Sequence, residues 1–354
     1  MTASEHLHQP AGPQPERRRL IKALSIGAAA GLGAASLLMS GCASPRPSPP
    51  PPVREARRLP EGAPRGRLLV IGGAQDRVDD GEILRRFMEI SGGPRARLRF
   101  ITGATNDPNG AAKAYGEAMK GIGAVDVDFL HLMEAADAAH PTLLQELRRA
   151  DGVFITGGDQ ARLMGKLWST PAMAELHTAL RERGICLAGT SAGAAALSRA
   201  MIAQGPATFA PQKESTSLDL GLNLLPQALV DQHFSQRRRL SRLLSAVAQR
   251  PDLLGIGVDE DTGLLIEWGR SIEVIGRSSV TIVDGSDMLS NEREVESSAR
   301  LELIGVNLHV LPTGRRYRHP ELPASDEVAH VPAPPKPLQW AIRRLLEPPP
   351  ILVF

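Results

Sequence analysis

A serine set between small residues marks the stretch where chemistry is most readily placed: Gly189-Thr190-Ser191-Ala192-Gly193. The apolar residues 185–188 before it predict a short buried strand, and the Ala-rich run after it favours a helix. Strand, tight turn and helix with Gly-x-Ser-x-Gly at the turn is the nucleophile-elbow pattern. Its glycines are expected to let the backbone turn sharply and leave Ser191 clear of neighbouring side chains. The start of the helix sets free N–H groups and a partial positive charge beside the hydroxyl. A serine held in this way can attack a carbonyl while nearby N–H groups receive the developing oxyanion. The pentapeptide also suits a Gly-rich turn without chemistry, so partners must be found elsewhere in the chain.

A serine hydroxyl needs a base, and His233 is the best placed of the nine histidines. It follows an apolar strand-like run and precedes a helical one, where loops at a sheet edge present side chains. His6 and His8 lie near the N-terminus, His309, His319 and His330 in the late region, and His131, His140 and His177 on or beside helices before the elbow. A third group must hold the imidazole in the right tautomer. Asp259, Glu260 and Asp261 follow another predicted strand, and any of the three can serve. Four arginines, Arg237, Arg238, Arg239 and Arg242, lie near the start of a predicted amphipathic helix over 237–249. Cations there oppose the helix dipole, so a carboxylate ligand bound in fork geometry is one reason for their presence; the other is a plain solvated face. Asp231, Gln232 and Gln160 offer acceptors for a guanidinium. Both signs of charge beside the base suit a zwitterionic substrate. No metal-ligand spacing is present, and Gly72-Gly73-Ala74-Gln75 lacks the Gly-x-Gly-x-x-Gly of a dinucleotide fold, so no cofactor is expected.

Strands and helices alternate through most of the chain. Strands are predicted at 66–71, 97–102, 125–130, 152–156, 185–188 and 253–258, with helices at 83–91, 109–121, 140–150, 161–167 and 171–183. This is the signature of an α/β, doubly wound, mainly parallel sheet with flanking helices. Ligands of such sheets bind beyond the carboxyl ends of the strands, where the Gly-Gly-Ala-Gln, Gly-Gly-Asp-Gln and Gly-Thr-Ser-Ala-Gly turns would gather. Segments 263–268, 271–275 and 279–283 read as shorter, antiparallel strands. From Thr313 the chain turns basic and Pro-rich, with one short helix at 338–346, and is expected to be peripheral or disordered.

The first 65 residues do not read as fold. Arg17-Arg18-Arg19 precedes an apolar run over 23–39 that ends at Ser40-Gly41-Cys42. A charged start, a short apolar stretch and small residues at the exit describe an export signal. Arg17-Arg18 followed by Leu20-Ile21-Lys22 is similar to a twin-arginine signal, and Ser40-Gly41-Cys42 to a lipoprotein processing site at which Cys42 becomes lipidated. Residues 43–65 form a Pro-rich tether, 66–312 the catalytic domain and 313–354 the tail. The formal net charge is +2, and Arg17, Arg18, Arg19 and Lys22 against Glu5 and Glu16 account for it. A balanced mature chain with 3% aromatic residues gives no support to nucleic-acid binding. Cys186, in a predicted buried strand, reads as an inert apolar residue.

Four segments together resemble the cyanophycinases: Gly157-Gly158-Asp159-Gln160, Gly189 to Ala194, Asp231-Gln232-His233-Phe234-Ser235-Gln236-Arg237, and Leu253 to Glu260. Their order and spacing match over residues 66–285. That family is similar to peptidase E and has a fold similar to class I glutamine amidotransferases, with a serine in place of their cysteine. The resemblance implies hydrolysis of cyanophycin, a poly-aspartate backbone with arginine on each β-carboxyl, to β-Asp-Arg dipeptides. It implies Ser191 as nucleophile, His233 as base and Glu260 as the orienting acid. It further implies a substrate pocket of Gln160, Asp231, Gln232, Arg237, Arg239 and Arg242, and backbone N–H groups of Gly158 and Ala192 are inferred as the oxyanion hole. The expected partners are cyanophycin or an aspartyl peptide and a membrane reached through the N-terminal lipid, with a homodimer as a candidate assembly. The leader, tether and tail depart from the intracellular members, so an exported, lipid-anchored form is expected. Ala43 after Cys42 favours sorting to an outer membrane.

The expectation at Cys42 is tested by growth with an alkynyl palmitate analogue. Label should enter the protein and vanish in Cys42→Ser; an unlabelled wild type removes the anchor.

Overall fold

Short strands of four or five residues, most of them largely apolar and ending in glycine or a small polar residue, build the centre of the molecule. The structure, a computed structural model, describes residues 66–322 and 334–349. Five strands, β1 (Arg67–Ile71), β2 (Arg97–Ile101), β3 (Asp126–Leu130), β4 (Gly152–Ile155) and β5 (Cys186–Thr190), lie parallel in the order β1-β5-β4-β2-β3. The helices that connect them are α1 (Glu82–Ile90), α2 (Pro108–Gly121), α3 (Pro141–Arg149), α4 (Gln160–Leu167) and α5 (Pro171–Glu182). Proline stands in the first turn of α2, α3 and α5, where its missing N–H costs nothing.

Alternation along the strands sorts the core into two layers. Leu68 and Val70 of β1 pack with α3, α4 and α5 on one face, and Leu69 and Ile71 pack with α1 and α2 on the other. A sheet covered on both faces needs such continuous apolar strands. Phe87, Phe100, Tyr115, Phe129 and Phe154 gather on the α1–α2 face with ring centroids 5.0 to 6.1 Å apart. Cys186 is buried on that face with its thiol pushed up to about 12 by burial, as an inert residue should be.

After β5 come the short helix α6 (Ala192–Ala196), the hairpin β6 (Ala200–Gln204) and β7 (Ser217–Leu220), β8 (Ala228–Gln232), α7 (Leu240–Gln249) and β9 (Leu254–Val258). Strands β10 (Thr262–Glu267) and β11 (Ser271–Gly276) then extend the central sheet antiparallel from β1. β12 (Ser279–Asp284) and, after the small pair β13 (Leu289–Ser290) and β14 (Leu303–Ile304), β15 (Asn307–Pro312) complete a second, four-stranded sheet in the order β15-β12-β9-β8. The single sheet edge expected from the sequence is thus two. β10 occupies the free edge of β1, so β9 pairs with β8 and β12 instead. α7 covers the far face of the second sheet through Leu243, Ala246 and Val247.

The described part of the C-terminal region is not peripheral. β16 (Arg316–Arg318) adds to β11 as an eighth strand, and α8 (Lys336–Leu345) inserts Leu338, Ala341, Ile342 and Leu345 into the main core. The spacing of those four is that of one helix face, and Pro337 sits in the first turn where it favours the helix. The leader, Cys42 and the tether lie outside the described residues. Among the described residues no helix is long and apolar enough to cross a membrane.

Ile342 is fully buried, so Ile342→Ala should destabilise the full chain by about 2–5 kcal/mol. Urea or thermal unfolding checks this; an unchanged midpoint would mean that α8 is not docked.

Candidate active site

Ser191 stands alone between β5 and α6 with φ 52° and ψ −115°. A non-glycine residue there is strained and persists only when its surroundings hold it. Here its N–H donates to the Ile71 carbonyl at 3.0 Å and its carbonyl accepts from Ala195 N–H at 3.0 Å. The glycines of the elbow act differently from expectation. Neither Gly189 nor Gly193 has positive φ; each is required by close packing. A Cβ on Gly189 would lie 2.6 Å from the Gly193 carbonyl oxygen, and one on Gly193 would lie 2.4 Å from that of Ile155. The strand also runs on through Gly189 and Thr190, because both pair with β1.

His233 follows β8, also at positive φ (49°), and its N–H donates to the Gly72 carbonyl at 2.7 Å. Its Nε2 is 2.9 Å from Ser191 Oγ and its Nδ1 is 2.6 Å from Glu260 Oε1. An Nδ1–H donated to the carboxylate leaves Nε2 free to accept from the hydroxyl. Of the three acids left open by the sequence, only Glu260 reaches the ring. Asp259 accepts from Ser235 N–H at 2.9 Å and from the hydroxyls of Ser278 (2.7 Å) and Ser279 (2.9 Å). Asp261 accepts from Asp76 N–H at 2.8 Å and pairs with Arg277 at 3.1 Å. The Glu260 N–H donates to Gln236 Oε1 at 3.0 Å, which ties the acid to the loop that carries the base.

Burial, helped by Arg237 and Arg239, outweighs the Glu260 hydrogen bond and holds His233 below its usual 6.5. The ring is therefore neutral at neutral pH, the form a base requires. Burial would raise Asp259, but the hydrogen bonds from Ser235, Ser278 and Ser279 outweigh it, and the carboxyl stays below 3.8 and ionised.

Three consecutive carbonyls of one segment fix the backbone of all three loops. Ile71 accepts from Ser191, Gly72 from His233 and Gly73 from Asp261, at 3.0, 2.7 and 2.9 Å. Gly73 does more. With φ +99°, it lies where an added Cβ would meet His233 Cε1 and Nε2 at 2.4 Å. Gln75, two residues on, is buried and bridges Tyr115 and Thr190: its Nε2 donates to the Tyr115 hydroxyl at 2.7 Å and its Oε1 accepts from Thr190 Oγ1 at 2.8 Å. Sequence reasoning saw Gly72-Gly73-Ala74-Gln75 only as a sheet-edge turn; no local signal ties it to a histidine 160 residues later.

Gly157 packs against Ser191, with room for a Cβ only 3.2 Å from the serine Cβ, and Gly158 follows at φ +142°. Among the described residues neither the Gly158 nor the Ala192 N–H donates to a protein acceptor.

The six expected pocket residues divide. Asp231 is fully buried and receives Arg242 in a two-pronged pair, Nε at 2.9 Å and a shorter Nη2 contact, together with Arg239 Nη1 at 3.3 Å. Arg239 also donates to the Gln232 carbonyl (2.6 Å) and its Oε1 (3.1 Å), and Arg242 to the Gly205 carbonyl (2.8 Å). Gln160 Nε2 donates to the carbonyls of Ile202 (3.0 Å) and Ala203 (2.8 Å). Burial, offset in part by Asp231, pulls Arg239 down to about 10, so it remains charged. Arg237 is exposed and has no ion-pair partner among the described residues. Only part of the cluster opens a helix as expected: α7 begins at Leu240, Arg237 and Arg238 lie in the turn before it, and Arg239 at the N-cap and Arg242 in the first turn meet the unfavourable end of the dipole. Asp231 is what holds Arg239 and Arg242.

The arrangement joins a strained serine, a neutral imidazole and a carboxylate in one hydrogen-bonded line, beside N–H groups with open valence. Such a line can deprotonate a hydroxyl as it attacks an acyl carbon.

Comparison with known proteins agrees with that chemistry. Residues 68–274 match the model of peptidase family S51. A cyanophycinase from Synechococcus elongatus is 40% identical over 254 residues, covering 72% of this chain and 79% of that protein. A cyanophycinase from Trichormus variabilis (strain ATCC 29413 / PCC 7937) is 39% identical over 276 residues, covering 77% of this chain and 92% of that one. The crystal structure of a peptidase from an acI-B1 Actinobacterium superposes with a TM-score of 0.53 at 20% identity, covering 72% of this chain and 97% of that one, and shares the fold.

Gly73→Ala drives a methyl into the His233 ring. It should lower kcat/KM by about 100-fold while leaving the far-UV spectrum unchanged. Retained activity would mean that the ring does not work from this position.

Proposed function

The chain belongs to peptidase family S51 and is a serine-type peptidase, and from that premise we propose that it is an exported cyanophycinase. The observation that carries the reading is the unbroken line from Ser191 through His233 to Glu260 in a chain about two-fifths identical to cyanophycinases.

In the proposed mechanism Ser191 Oγ attacks the carbonyl of an aspartyl peptide bond as His233 Nε2 takes its proton. Glu260 stabilises the imidazolium and keeps its orientation. The N–H groups of Gly158 and Ala192 receive the oxyanion. The C–N bond then breaks, His233 returns the proton to the leaving amine, and an acyl ester remains on Ser191. Water, deprotonated by His233, attacks the ester and releases β-Asp-Arg with the serine restored.

The charged set supports a zwitterionic substrate. Arg237 is the exposed cation that takes the substrate's free carboxylate in a fork. The side-chain amide oxygens of Gln160 and Gln232 are the acceptors that take the substrate guanidinium, while Asp231 acts indirectly by holding Arg239 and Arg242. Export and anchoring rest on the sequence from Arg17 to Cys42.

Incubation of the pure protein with cyanophycin should release β-Asp-Arg, and Ser191→Ala should lower kcat by about 10⁴-fold or more. Cleavage confined to free aspartyl dipeptides makes the chain a dipeptidase instead. Because the working form of His233 is neutral and its pKa is depressed, kcat/KM should be flat at neutral pH and fall with acid through a midpoint below 6.5. A midpoint above 6.5 contradicts the role given to His233.

A further inference from the structure

A cavity of about 480 Å³ lies between the loop after β1 and the helices α1 and α2. Its floor is apolar, with Ala114 and Ile122, and its walls carry Arg77, Arg85, Asp79 and Glu117. Among the described residues none of these four side chains is in an ion pair. Two cations and two carboxylates without ion-pair partners thus line one cavity, with Arg85 Nε also donating to the Asp80 carbonyl at 3.0 Å, an arrangement that suits a ligand bearing both charges on an aliphatic stem.

The cavity is joined to the nucleophile through touching side chains. The Arg77 guanidinium lies 5.3 Å from the centre of the Tyr115 ring, Tyr115 accepts from Gln75, and Gln75 accepts from Thr190, the residue before Ser191. The distance along the chain is short as well. Gly73 abuts the His233 ring, and Arg77 is four residues further, so its Cα is at most about 14 Å from that of Gly73. A poly-aspartate backbone covers that distance in about four repeats.

We propose that this cavity is a second subsite for the same polymer, holding a β-Asp-Arg repeat several units along from the bond being cut. The proposal rests on the cyanophycin reading above. The repeat's guanidinium is taken by Asp79 and Glu117, its free carboxylate by Arg77 and Arg85, and its methylenes lie on Ala114 and Ile122. A cavity of equal size beside Arg237 and Arg238 is lined by arginines without a carboxylate, so it matches only half of each repeat. A second contact on one chain raises the effective concentration of the polymer end at Ser191 without changing the chemical step.

The test compares cyanophycin of two or three repeats with chains of ten or more, on wild type, Arg85→Glu and Glu117→Lys. Wild type should favour the long chains by a KM about 10-fold lower, and each reversal should abolish that advantage while kcat and the short-chain constants stay within about twofold. Short-chain activity also shows that the variants have folded. The proposal is overturned if wild type shows no length preference, if the reversals leave the long-chain KM unchanged, or if long and short chains lose equally. Wild type that cleaves neither length overturns the cyanophycin reading itself, and the subsite with it.

Discussion

Three carbonyls in a row, those of Ile71, Gly72 and Gly73, hold together what would otherwise be three unrelated loops. Ser191 belongs to the central sheet, whereas His233 and Glu260 belong to the second sheet. The end of β1 is where the two sheets meet, and each of its last carbonyls takes an N–H from one loop. The loops cannot move independently without breaking one of those bonds in a largely water-excluded place, where a lost partner costs about 1–3 kcal/mol. The absence of a side chain at Gly73 then lets the imidazole lie against the backbone, between hydroxyl and carboxylate. Positive φ at both Ser191 and His233 is the local strain that this scaffold holds in place.

Charge is arranged around the same joint with a second purpose. Asp231, the residue before Gln232 and His233, is buried with two guanidinium groups, and a buried pair of this kind stabilises little in itself. What it provides is position. It ties the turn carrying Arg237, Arg238 and Arg239 back to β8, so that Arg237 is presented to solvent beside the imidazole. Asp259 does the same for the other loop, anchoring Ser235, Ser278 and Ser279 and leaving its neighbour Glu260 free for the ring. Both carboxylates act through other residues.

Much of the central sheet is legible from the sequence, because its strands are apolar runs closed by glycines and its helices carry a 3.6-residue period. The residues of the Ser191–His233–Glu260 line are legible as types, and the choice of Glu260 over Asp259 and Asp261 came from the family resemblance. Three features are not legible, each for a physical reason. The second sheet depends on β10 taking the free edge of β1, a competition between strands that no local pattern records. The docking of α8 is hidden by flanking prolines, which suggest a tail although Leu338, Ala341, Ile342 and Leu345 have the spacing of a buried face. The roles of Gly73 and Gln75 follow from contacts with His233, Thr190 and Tyr115, all far away in sequence.

The central claim is that His233 makes Ser191 nucleophilic, and its most direct test is the rate and site of reaction with a fluorophosphonate. Peptide mapping should find a single adduct, on Ser191, and His233→Ala should slow its formation by about 10²- to 10⁴-fold. An adduct on another residue, or labelling of Ser191 at an undiminished rate in His233→Ala, would contradict the account.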